Sequence, residues 1–129
     1  MSSSIELAKQ LAKSIQQVQM EVRWKPGSAT RHLHKRKLRR HLPLEATITD
    51  YEQVIQTVLT LPQAVVYLYW FEETPYPTIV GTTQEQRWLV MFSLDGILES
   101  AFVVENPETY LTSPEFEWIG LLEEVLDES

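Results

Sequence analysis

Apolar residues recur at three- and four-residue steps through Ile5, Ala8, Leu11, Ala12, Ile15, Val18 and Val22. That is the spacing of a helix with one buried face. One of Ser2 to Ser4 caps it, and Pro26 and Gly27 end it near Trp24. The segment from Arg31 to Arg40 breaks the pattern. Its only apolar positions are Leu33 and Leu38, five apart, so no stripe forms and either a short helix or an extended arm fits. Pro43 ends either one. A second amphipathic helix follows. Thr49 and Glu52 make a capping box, Tyr51, Val54, Ile55, Val58 and Leu59 face a core, and Pro62 stops it.

The period then changes. Ala64 to Trp70 is β-branched and aromatic, as a buried strand requires. Phe71 to Pro77 reads as a polar loop with prolines, and Thr78 to Thr83 as a short strand. Arg87 to Leu94 and Ile97 to Val104 are two further strands joined by Asp95-Gly96, a strong hairpin signal. A two-residue loop there pairs Leu94 with Ile97, Met91 with Ser100 and Arg87 with Val104. One hairpin face then carries Arg87, Leu89, Met91, Ser93, Leu98, Ser100, Phe102 and Val104, and the other Trp88, Val90, Phe92, Leu94, Ile97, Glu99, Ala101 and Val103. Ser113 to Asp127 reads as a closing helix, capped by Ser113 and started by Pro114, with Phe116, Ile119, Leu122 and Leu126 on one side and Trp118, Leu121 and Val125 on another.

Helices and strands are segregated, so the expected class is α+β, with an antiparallel sheet of about four strands and helices packed on it. The chain reads as one domain. It comprises a helix over 1–24, a basic segment over 25–43, a helix and sheet over 44–112, and an acidic helix over 113–129.

Charge sharpens this picture. Met1 to Arg40 carries ten basic and two acidic side chains, whereas His41 to Ser129 carries one basic and sixteen acidic, for a net charge of −7. The run Arg31 to His41 holds six of the eleven Lys and Arg residues and all three histidines. Such a split suits a polyanion, an acidic protein partner, a second copy of the chain, or a basic segment folded against the chain's own acidic closing helix. The absence of cysteine excludes disulfides and thiolate catalysis and suits a cytoplasmic setting. No segment has the roughly 20 apolar residues that span a bilayer, and no secretory leader is evident. A metal site is not expected, because adjacent cations oppose a divalent ion and no Cys or carboxylate ligand interleaves the histidines. No Gly-rich phosphate loop is present, since the four glycines are scattered, and no cofactor is expected.

The block His32, Lys35, Arg36, the following helix, the approach Pro62 to Val65 into the first strand, and Ser100-Ala101-Phe102 in the last hairpin strand resemble the barnase–EndoU–colicin–RelE nuclease superfamily over about residues 30–105. The resemblance is to its phage- and toxin-associated bacterial members. Ser100 stands where the family usually has threonine, and Phe102 where it often has tyrosine. The resemblance implies a metal-independent endoribonuclease. In such an enzyme a base takes the proton of a ribose 2′-hydroxyl, the oxygen attacks the adjacent phosphate, and an acid protonates the leaving oxygen. His32, Lys35, Arg36, Arg87 and Ser100 are then the candidate catalytic residues, with Arg31, His34, Lys37, Arg39 and Arg40 binding RNA. Read on its own, the same basic run is a solvated or partner-docking surface of a non-catalytic interaction protein. Arg87 alone reads equally well as an ion-pair partner of Glu72, Glu73, Glu85 or Glu99.

Overall fold

The structure, a computed structural model, describes residues 2–127, with side chains from Ile5 onward. The cap expected from Ser2 to Ser4 lies outside the described side chains. Helix α1 (Ser2–Met20) buries Leu11, Ile15 and Val18. It stops at Met20 rather than near Trp24. The chain beyond it runs extended beside the hairpin, where Trp24 bridges to Leu98 and the Arg23 carbonyl accepts the Leu98 N–H.

The basic run resolves as a helix, α2 (Ser28–Leu38). Its inward positions are Leu33 and Arg36, while Leu38 points to solvent at 70% exposure. An arginine stem thus completes the apolar stripe that the sequence lacks, which long aliphatic stems do readily. The helix ends with the Arg40 backbone left-handed (φ 60). That conformation lets His41 N–H bond the Arg36 carbonyl and Arg40 N–H bond the Lys37 carbonyl, the paired closure usually built on glycine. Helix α3 (Ile48–Leu59) buries Tyr51, Ile55, Val58 and Leu59 as expected, with Val54 half-buried, but its capping box is Thr47 with Asp50, two residues earlier than Thr49 with Glu52.

Five strands form one antiparallel sheet: β1 (Val65–Phe71), β2 (Thr74–Thr83), β3 (Gln86–Phe92), β4 (Leu98–Val103) and β5 (Phe116–Leu121), in spatial order β4-β3-β2-β1-β5. The α+β expectation holds, with one strand more than foreseen. Two segments are corrected. Thr74 to Pro77 belongs to β2 and is not loop. The β2–β3 pairing begins only at Thr78 with Met91, so the stretch bearing Pro75 and Pro77 has an open side where a missing N–H costs no ladder bond. The closing helix expected from Ser113 to Asp127 is instead strand β5 followed by a short helix α5 (Leu122–Asp127), and a four-residue helix α4 (Pro107–Tyr110) precedes it. The free edge of β1 supplies the reason. Its backbone groups need partners, and β5 gives them from Val65 with Leu121 to Tyr69 with Phe116.

The hairpin register is as expected at Met91 with Ser100, but a bulge after Met91 sets Phe92 opposite Leu98. The loop is a turn from Ser93 to Gly96 with Gly96 at φ 80, in place of a two-residue Asp-Gly loop. Leu98 therefore leaves the face shared with Leu89 and joins Trp88, Val90 and Phe92 in the main core between sheet and helices. A smaller cluster on the other face gathers Val80, Leu89, Val104 and Leu111 with Phe102 and Phe116.

Candidate anion-binding cleft

Helix α2 packs across β4 near one edge of the sheet, and the chain leaving β4 turns back as Val104 to Tyr110. Between them opens a cleft of about 570 Å³. One wall is basic: His32, Lys35 and Arg36 from α2, and Arg39 and His41 just beyond it. The other comprises Ser100 and Phe102 of β4, then Glu105, Asn106, Thr109 and Tyr110.

Arg36 is the central group. It is 5% exposed. Its Nη1 donates to the Ala101 carbonyl at 3.4 Å, and its guanidinium lies 5.5 Å from the Phe102 ring centre. Its Nε has no hydrogen-bond partner among the described residues, and no carboxylate pairs with it there. Burial and the neighbouring Arg39 depress its pKa. A buried charge is ordinarily paired with an opposite charge; here the Ala101 carbonyl and the Phe102 ring are the groups set against the guanidinium.

The two histidines differ. His41 is buried, and its Nδ1 accepts the Val103 N–H at 3.3 Å. Nδ1 is therefore unprotonated, and in the neutral ring Nε2 carries the hydrogen. Nε2 lies 3.8 Å from Glu105 Oε1. Burial, then Arg36, lowers the His41 pKa, with Glu105 opposing. His32 is half-buried and packs at 5.5 Å on Trp24. Burial, then Arg36, Arg31 and Lys35, lowers its pKa as well. No described hydrogen bond fixes its tautomer. An aromatic series joins the two imidazoles, running from Trp24 to Tyr51 to Trp88. It holds both rings against the core.

Of the residues expected to be catalytic, His32, Lys35, Arg36 and Ser100 line this cleft. Arg87 does not. It lines a separate cavity of about 470 Å³ with Gln63, Gly81 and Glu123. Of the expected RNA-binding residues, Arg39 lines the cleft, Arg31, His34 and Arg40 are exposed outside its lining, and Lys37 is half-buried. His41 was the histidine least distinguished by sequence, yet it is the most buried. Its one sequence signal is its place at the end of the basic run. Glu105 to Tyr110 carried no signal, because only β4 brings that segment to α2. The acidic end of the chain lies elsewhere: α5 packs on β5 and β1, toward the sheet edge opposite β4. No described ion pair joins it to α2.

No protein-family model matches this chain, no curated protein matches it, and no solved structure matches its fold.

Proposed function

We propose that the cleft binds the phosphodiester backbone of RNA and supports metal-independent strand cleavage. The observation that carries the reading is Arg36, a buried guanidinium without a carboxylate in a cleft that also holds Lys35, Arg39, two histidines and a hydroxyl. Guanidinium and ammonium groups around a cleft favour phosphate, the buried Arg36 most of all, and they stabilise most strongly the extra charge of a pentacoordinate phosphorus. His32 is the base: its lowered pKa keeps it unprotonated near neutral pH, free to take the 2′-hydroxyl proton. His41 is a donor rather than a base, because Nδ1 is engaged and Nε2–H is directed at an anion. Lys35, one turn on from His32, protonates the leaving oxygen, and Ser100 hydrogen-bonds a phosphate oxygen.

The test separates function from scaffolding. The Ala101 carbonyl also accepts from Tyr51 Oη, so Arg36→Met leaves it satisfied while removing a buried unpaired charge. The variant is expected to melt at the wild-type temperature or above, yet to lose RNA affinity. His32→Ala is expected to keep RNA affinity and lose roughly 10²–10⁴-fold in cleavage measured in EDTA. Lost stability with unchanged RNA affinity in Arg36→Met would mark the arginine as structural and end the proposal.

A further inference from the structure

The wall facing the cations is built from a different chemistry. Tyr110 is exposed at 43%. Phe102 meets it edge-on at 6.0 Å, and Phe116 props it at 5.5 Å, so the ring is held in place while much of it stays open. Asn106 stands one helical turn away, with its backbone carbonyl taken by Tyr110 N–H. Its side chain makes no capping bond to α4, and Thr109 lies between the two. The cleft thus sets a fixed aromatic surface and an uncommitted amide in one lining with Lys35, Arg36 and Arg39. At about 570 Å³ it falls within the usual range of about 300–1,000 Å³ for a small-molecule site, enough for one nucleotide rather than a bare anion. A base in a duplex has both faces stacked and its pairing edge occupied, so this geometry requires an unpaired one.

We infer that the Asn106–Tyr110 turn recognises the base of a single unpaired nucleotide whose phosphate lies against Arg36, Lys35 and Arg39. The ligand class is therefore single-stranded RNA, engaged one nucleotide at a time. Tyr110 stacks the base, and Asn106, with its paired donor and acceptor, discriminates among base edges. This inference rests on the phosphate reading above.

The experiment is equilibrium binding of the full-length protein to four nucleoside 3′-monophosphates, with ribose 5-phosphate and inorganic phosphate alongside. At least one nucleotide is expected to bind about tenfold or more tightly than ribose 5-phosphate, from one base stacked on tyrosine. Tyr110→Ala should abolish that advantage and leave ribose 5-phosphate affinity unchanged. Asn106→Ala should narrow the spread among the four bases. Lys35→Ala with Arg39→Ala, both exposed positions that the fold tolerates, should weaken every ligand. Equal binding of nucleotide and ribose phosphate, or equal loss of both in Tyr110→Ala, overturns base recognition and leaves the phosphate site standing. Failure of all six compounds to bind overturns both readings.

Discussion

At the scale of single residues the buried Arg36 and the two imidazoles beside it are expected to make the fold sensitive to pH. The pKa values of His32 and His41 are both lowered in the folded chain, first by burial and next by Arg36. A histidine whose folded pKa lies below its unfolded value of about 6.5 favours the native state fully above that pH. The advantage shrinks as pH falls from there through the lowered folded pKa, because the unfolded chain takes up the proton first. Unfolding by urea should therefore show a lower midpoint at pH 5.5 than at pH 7.5. The double variant His32→Gln, His41→Asn should show a smaller drop, the asparagine oxygen standing where Nδ1 accepted the Val103 N–H. An equal drop in both proteins would place the sensitivity in other groups. These pKa shifts were not legible in the run RHLHKRKLRRH, since charge alone is local. Burial of Arg36 and His41 depends on Trp88, Val103 and Phe102 arriving from far along the chain.

At the scale of elements, local signals worked where they were self-contained. The stripe of α3 is read off its spacing because Tyr51, Ile55, Val58 and Leu59 all face the same core. Its start was misplaced because Thr47 and Thr49 both precede plausible acidic partners, and only backbone geometry separates them. Thr47 has extended dihedrals (φ −101, ψ 171) and accepts the Asp50 N–H, whereas Thr49 is already inside the helix. Thr47→Ala is expected to cost about 1 kcal/mol in chemical denaturation, and Thr49→Ala within about ±0.5 kcal/mol of nothing, as an exposed helical position should. The reverse order would restore the later cap. The fifteen residues from Ser113 to Asp127 show the opposite case. Their apolar positions suit a helix, yet the unpaired edge of β1 claims Phe116 to Leu121 as a strand, and Trp70 fastens them through its backbone N–H to Glu115 and its indole N–H to Glu117.

Across the whole molecule, charge of opposite sign gathers at opposite ends of the sheet. From β4, beneath α2, to β5, ahead of α5, there are four strand spacings of about 4.8 Å, or roughly 19 Å. That exceeds the Debye length of about 8 Å at physiological ionic strength. Neutralising the distant acids in Glu123→Gln, Asp127→Asn should thus change RNA affinity by less than about twofold at 0.15 M salt. Glu105→Gln, which removes the carboxylate beside His41, should tighten RNA about fivefold, in line with about 1 kcal/mol for a unit charge near 4 Å in water. A larger effect from the distant pair would mean that the acidic end reaches the cleft after all. The sequence by itself determined the α+β class, the core face of α3, the Met91–Ser100 pairing and the concentration of cations and histidines in one short run. Those follow from period, propensity and composition, which act over a few residues. Tertiary structure decided that Arg36 points inward, that His41 is buried, that Arg87 stands apart, and that Asn106 and Tyr110 face the basic helix. Each depends on packing between segments many residues apart, where the need to bury apolar surface and pair every strand edge overrides local preference.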